Sequence, residues 1–388
     1  MILPPNFTLL QVAPALETGG VEQTALDVAA AVFASGGRAL VASSGGRLER
    51  ALVDLGGEAV RMPVQSKNPL VVAANALRLK ALIRREGVSL IHARSRAPAF
   101  SAQWAARAAG IPFVATYAGA YSAGSGLKRW YNGVMTRGDL VIANSNFTRD
   151  HLIAEHRVAP DKVVAIPRGI DLDAFDPAAV APERVAALRR DWGLDARPVL
   201  LLAARLTRWK GHGLLLEALS RSRAAGGGDV TVVFAGDDQG RTGYRAELEA
   251  QVLRLGLSDR VRLVGHCADM PAAYLAADLA AAPSLQPEAF GRTAVEPQAM
   301  GRPVLAADHG ATRETMVDGR TGWLVPPGDA AAWAGALDRA LAAGPGAWRR
   351  MGDEGRVRVR ALFSVEAMTR ATLEAYVRLL ASRASAAE

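Results

Sequence analysis

The chain has 388 residues, half of them hydrophobic and 22% charged, which is too long for one ordinary core and too apolar for a disordered chain. Its formal charge is +8, but the arginines are spread along the whole length rather than gathered in a block or interleaved with aromatics. That pattern argues against a nucleic-acid reader and leaves a solvated basic surface, with weak attraction to anionic lipid headgroups as the second reading. The single cysteine, Cys267, excludes an intramolecular disulfide. No apolar run reaches the roughly 18 residues of a spanning helix. The opening residues MILPPNFTLLQVAP carry neither a basic leader nor a cleavage site, so a cytoplasmic protein is expected.

In chain order the expected strands are FTLLQVA from Phe7, ALVAS from Ala39, SLIHA from Ser89, PFVATY from Pro112, LVIAN from Leu140 and KVVAIP from Lys162. Apolar residues at helical spacing fill 21–33 and 70–83. Continuous apolar strands separated by helices indicate a parallel sheet covered on both faces. The stretch GIDLDAFDPAAVAPERV is proline-rich and irregular and reads as a hinge. After residue 195 the alternation restarts with PVLLLAA, VTVVFAG, RVRLVG, LAAAPS, PVLAA and TGWLVPP. The expected divisions are a first domain over 1–176, a second over 177–363, and a last amphipathic helix within 364–388 that can return to the first. Two doubly wound domains place a ligand at the carboxyl ends of their strands.

The most informative segment is PEAFGRTAVEPQAMGRPVLAA, from Pro287. Pro297 lacks an N–H, so its helix should start only a few residues earlier. Gly291, Arg292 and Thr293 then stand at a helix N-terminus, where backbone N–H groups and the helix dipole favour a phosphate. Glu296, expected in the first turn, can accept two hydrogen bonds from a ribose diol, and Glu288 in the preceding loop lies near an attached sugar. Taken alone, both glutamates equally suit an ordinary acidic helix start. In LLLAARLTRWKGHGLLLEAL, Arg205 and Lys210 follow a strand; taken alone, they equally suit ordinary surface charges.

This segment resembles the signature of the retaining glycosyltransferases of family four, of the GT-B class: two glutamates separated by seven residues, then small residues, with Gly301, Pro303, Val304 and Gly310 following. The resemblance implies a GT-B fold of two Rossmann-like domains facing each other across a cleft, and a nucleoside diphosphate sugar, GDP- or UDP-linked, as donor. It implies that Glu288 orients the sugar, Glu296 the ribose, and Arg205 and Lys210 the diphosphate, with no metal and no cofactor. Gly19 and Gly20 of the GGVE run would line the donor site. His266 and Cys267, in VRLVGHCADMPAAYLAAD, would hold the base largely through backbone groups; a metal-ligand role is less expected for a lone cysteine or histidine.

In the first domain SKNPL from Ser66, HARSRAP from His92, TYAGAY from Thr116 and GLKRWYNGVMTRGD from Gly126 are similar to bacterial envelope enzymes, including lipopolysaccharide core mannosyltransferases. A glycan or glycolipid acceptor follows from that resemblance, with His92 and Tyr117 on the acceptor side. Lys128, Arg129, Trp130 and Tyr131 would meet an anionic membrane surface, or else the two aromatics pack inward. One departure stands out. Alanine occupies position 118, where the family usually has histidine, and a methyl group has no proton to give. Two alternatives therefore accompany the transferase: a sugar-nucleotide epimerase of the same fold, and a catalytically impaired scaffold that binds nucleotide sugar.

Overall fold

The computed structural model describes residues 3–17, 19–119, 125–223, 230–240 and 242–385. The chain divides into two compact units, Met1–Gly169 with Val365–Glu388, and Ile170–Ser364.

In the first unit β1 (Thr8–Val12), β2 (Arg38–Ser43), β3 (Glu58–Arg61), β4 (Leu90–Ala93), β5 (Phe113–Tyr117), β6 (Leu140–Ala143) and β7 (Val163–Ala165) form one parallel sheet. Its order is β3-β2-β1-β4-β5-β6-β7. β1 is buried along its whole length because helices cover both faces, which is why it reads as a continuous apolar run. The sequence reading lacked β3. Its residues EAVR are largely exposed at the sheet edge, so they carry no apolar run to find.

The C-terminal helix Val365–Ser385 packs in the first unit, where Met368, Leu373 and Tyr376 join Phe7, Leu9 and Ile142 in one buried cluster. The division between units falls after Gly169, ahead of the expected 176. Ile170 is fully buried with Phe290, Val295 and Phe363, and its N–H donates to the Phe363 carbonyl at 2.7 Å. Burial thus ties the start of the irregular segment to the second unit.

In that unit β8 (Val199–Ala203), β9 (Thr231–Ala235), β10 (Val261–Gly265), β11 (Leu279–Ala282), β12 (Val304–Ala307) and β13 (Gly322–Val325) follow the six expected runs. They pair in the order β10-β9-β8-β11-β12-β13. The order reverses between β8 and β11, and an open α/β sheet binds ligands outside the strand ends at such a point. Among the described residues, no helix is long and apolar enough to cross a membrane.

Candidate active site

The loops leaving β8 and β11 meet at this reversal. After β8 a short turn, Arg208–Lys210, ends at Gly211, whose φ is +80°. A Cβ there would fall 1.9 Å from the Pro283 carbonyl oxygen, so only glycine lets the two loops touch. The contact brings the Lys210 ammonium onto Glu288 Oε1, and the Ser284 hydroxyl donates to the same oxygen at 2.8 Å. The Ser284 carbonyl in turn accepts from His309 Nε2 at 2.9 Å. Gly310, with φ +61°, passes so close to Glu288 that a Cβ would lie 2.7 Å from its carbonyl oxygen. Glu288 is therefore fixed from its backbone and from its side chain. Arg205 stands on the exposed rim, where Nη1 donates to Gln239 Oε1 at 3.3 Å, rather than within the Lys210–Glu288 pair.

Gly291, in the left-handed conformation at φ +84°, caps the helix Arg292–Ala299. This places Gly291, Arg292 and Thr293 at a helix start, whose first N–H groups have no intrahelical acceptors. Glu296 is a correction: it is the fifth residue of the helix and lies in the second turn, not the first. From there its carboxylate accepts from Arg292 Nε at 2.6 Å and from the Tyr274 hydroxyl at 3.0 Å. Burial, reinforced by the Glu296 charge, raises the Tyr274 pKa well above its usual 10, so the hydroxyl stays a donor. The sequence reading assigned Tyr274 no role; its only signal was an aromatic ring in an alanine-rich helix.

His266 and Cys267 follow β10, beyond Gly265 at φ +74°. His266 is exposed, while Cys267 is half-buried with its thiol toward the Asp269 carbonyl, and burial pushes that thiol's pKa up. Asp269 caps the next helix and is held by Arg184 at 2.7 Å. Among the described residues, no group of three or more His, Cys, Asp and Glu side chains could hold a metal.

In the first unit Gly19, at φ +145°, precedes the helix Gly20–Ala34, and a Cβ on Gly20 would fall 2.1 Å from Arg168 Nη1. Ala118, Thr116, Arg94 and Arg168 line one cavity at this end of the sheet. Two residues expected on the acceptor side are placed otherwise. His92 is fully buried on β4, with Nδ1 2.5 Å from the Tyr376 hydroxyl and Nε2 2.7 Å from Thr116 Oγ1. Burial, with Arg94 beside it, pushes its pKa well below 6.5, so it serves as a neutral brace between the sheet and the C-terminal helix. Tyr117 is also fully buried, in the core on the face of β5 opposite Thr116, with its hydroxyl 3.4 Å from His156 Nε2. Ala120 and Tyr121 of the TYAGAY run lie outside the described residues. Trp130 and Tyr131 both lean on Phe100, at 5.3 and 5.6 Å between ring centroids, though Trp130 stays 55% exposed.

Residues 185–358 match the family described as glycosyl transferases group 1, and residues 18–174 match glycosyltransferase family 4. A glycosyltransferase from Rickettsia africae ESF-5 is 33% identical, superposes with a TM-score of 0.88, and the match covers 97% of this chain and 99% of that one. Anabaena HepE, solved with UDP-glucose, is 25% identical over 96% of this chain and 99% of that one, with a TM-score of 0.80. The D-inositol 3-phosphate glycosyltransferase of Mycobacterium sp. strain JLS is 36% identical over 226 residues, covering 57% of this chain and 49% of the relative. The chain thus spans about half the length of the curated relatives it matches. With two parallel Rossmann-like sheets and full-length likeness to the Rickettsia enzyme, the chain belongs to the family 4 type of glycosyltransferases and has their GT-B fold.

Proposed function

We propose that the protein transfers a hexosyl group from a nucleoside diphosphate sugar to a hydroxyl of a cell-envelope glycan or glycolipid, such as a lipopolysaccharide core, with retention at the anomeric carbon. The observation that carries the donor half is the meeting of Lys210, Glu288 and the Gly291 helix start at the strand-order reversal of the second unit. Anabaena HepE binds UDP and UDP-glucose, which supports a nucleotide sugar and puts UDP first among the bases to test, ahead of GDP.

In this reading Arg205 and Lys210, with the helix N-terminus, stabilise the departing diphosphate, so neither a metal nor a cofactor is called upon. Glu288 orients the donor sugar, Glu296 accepts from the ribose hydroxyls, and the segment around His266 and Cys267 holds the base through backbone groups. The leaving diphosphate itself takes the acceptor proton on the face it vacates. Peripheral contact with an anionic membrane surface, on the cytoplasmic side, is part of the proposal: Leu127 and Trp130 are 76% and 55% exposed on the helix that carries Lys128 and Arg129. Ala118 favours one rival, a binder of nucleotide sugar with impaired chemistry.

Calorimetric titration with UDP, GDP and ADP and their sugar conjugates tests the reading. One nucleotide should bind selectively. If folded protein binds none of them, the donor site as described here does not exist.

A further inference from the structure

The second unit holds a cavity at the end of its sheet opposite the Lys210–Glu288 pair. Asp278 stands just ahead of β11 and Arg302 just ahead of β12, so both mark the amino ends of parallel strands. Lys210 and Glu288, in contrast, follow the carboxyl ends of β8 and β11. The facing wall comes from the long helix Ala330–Leu362. Gly344, at φ +72° and ψ 175°, breaks that helix and Pro345 restarts it; Trp348, Arg349 and Asp353 of the restarted half line the cavity. Gly352 lets this half approach, because a Cβ there would lie 2.0 Å from the Gly301 carbonyl oxygen. The volume is about 210 Å³. That is below the roughly 300–1,000 Å³ of pockets for drug-sized molecules and suits a ligand the size of a single sugar ring.

Two acidic and two basic side chains line this space, and among the described residues none of the four forms an ion pair. Arg349 and Asp353 are one helical turn apart, a spacing at which Arg50–Asp54, Arg245–Glu249 and Arg292–Glu296 all close to 3.3 Å or less. Arg302 donates from Nε and Nη2 to the Tyr274 and Leu275 carbonyls, at 3.1 and 3.0 Å, which leaves Nη1 over. Asp278 accepts from the Val199 N–H at 2.8 Å through Oδ2, which leaves Oδ1 over. Neither remaining atom is sealed away from solvent. Burial lowers the Arg302 pKa and the Asp278 charge draws it back up, so the two charges feel each other without touching. A donor and an acceptor anchored in this way lose little freedom on meeting a ligand that offers both.

The balance of charge leaves no net field to collect an anion or a cation. A zwitterion would need the acids set apart from the bases. Here the signs alternate, Arg349 with Asp353 along the helix and Asp278 with Arg302 across the strand ends. Hydroxyl groups both donate and accept, so a neutral sugar satisfies either sign in any order. The Trp348 ring spends its own N–H on the Ala340 carbonyl, at 2.7 Å, and offers only carbon to the C–H side of such a ring.

We infer that this cavity binds one neutral sugar residue, held by the half-buried Asp278 and Arg302 and by the exposed Arg349 and Asp353. It is a carbohydrate site separate from the donor site, and it does not rest on the transferase reading.

The test is NMR titration of the full chain with glucose, galactose and mannose, with glycine and inorganic phosphate as the zwitterionic and anionic controls. UDP is titrated in parallel by calorimetry. The variants are D278N, the double variant R349Q/D353N and, for the donor site, E288Q, with melting curves to verify folding. The expected result is that at least one sugar binds and neither control does. D278N and R349Q/D353N should weaken that sugar fivefold or more and change UDP affinity less than twofold, while E288Q leaves the sugar unaffected. Arg349 and Asp353 are exposed, so the double variant carries the test if D278N does not fold. The inference is overturned if none of the three sugars binds, if binding ignores R349Q/D353N, or if glycine or phosphate binds as well as the sugar. It is also overturned if E288Q abolishes sugar binding, since the sugar would then occupy the donor site. Sugar binding that responds to R349Q/D353N in a protein that binds no UDP supports the inference and counts against the transferase reading alone.

Discussion

Lys210 and Glu288, 78 positions apart in the chain, form an ion pair whose side chains are only 12% and 14% exposed. The pair holds an ammonium at the carboxyl end of β8 and a carboxylate at that of β11, at a spot largely closed to water. Shielding of this kind strengthens the attraction of a fixed cation for an arriving diphosphate. Under the proposed reaction, a diphosphate that engages Lys210 would compete with Glu288 for it and so release the carboxylate toward sugar hydroxyls.

Under the proposed reaction, Lys210→Met lowers kcat at least about 100-fold, the scale seen when one preorganised charge stabiliser is removed. Glu288→Gln acts in the same direction. Lys210→Met also leaves a mostly buried carboxylate without its cation, which costs about 2 kcal/mol in urea unfolding. Steady-state kinetics and urea titration check both statements. Wild-type turnover in a folded Lys210→Met protein would remove this residue from the mechanism.

Glu296 is held from two sides, by Arg292 and by the Tyr274 hydroxyl. Glu296→Ala is expected to weaken nucleotide binding at least tenfold, or about 1.4 kcal/mol. Tyr274→Phe removes only the hydroxyl that aims the carboxylate, at about 1 kcal/mol, so affinity should fall roughly fivefold. In the double variant the Tyr274 effect should vanish, because its target is gone. Additive losses would mean that Tyr274 acts through packing instead.

Ala118→His restores the side chain that the family usually carries here. The protein is expected to gain about tenfold in kcat, the scale of one added hydrogen bond at the reacting centre. Under the proposed function UDP is held by the second unit, so its affinity should stay unchanged. If turnover stays undetectable while nucleotide still binds, the scaffold reading takes first place.

Two buried histidines set a pH dependence of stability. Burial lowers the His212 pKa to about 4, and holds His92 well below 6.5. An unfolded histidine takes its proton near 6.5, so below that pH the unfolded chain binds more protons than the native one. Native stability is therefore fully present above about 6.5 and falls as the pH drops toward 4, by up to about 1.4 kcal/mol per pH unit for each histidine. Urea midpoints at pH 7, 6 and 5 should decline, and His212→Gln should flatten the decline by about half. An unchanged slope in that variant would show that His212 titrates alike in both states.

The local geometry around Gly291 in the second unit was more legible than that around His92 and Tyr117 in the first, for a physical reason. At Gly291 and Pro297 the sequence signal and the structural cause are the same local sterics: one residue tolerates φ +84°, and the other lacks an N–H near a helix start. His92 and Tyr117 also stand in recognisable runs, but their roles depend on neighbours far along the chain. His92 meets Tyr376, 284 positions away, and becomes a brace. Arg94 stands in the run HARSRAP and reads there as an ordinary basic residue, because burial cannot be read from an arginine's own letter.

By itself, the sequence determined the alternation of buried strands and covering helices, the six strands of the second sheet, and the helix start at Gly291. Each of these follows from local periodicity and backbone sterics within a few residues. Only the tertiary structure decided that Lys210 meets Glu288, that Tyr274 and Arg292 share Glu296, that Gln11 aims Arg94, and that the chain divides before Ile170. It also decided the edge strand β3, whose residues are too exposed to show an apolar run. Periodicity tells a residue which face to bury. Strand order and register choose the partner it finds there.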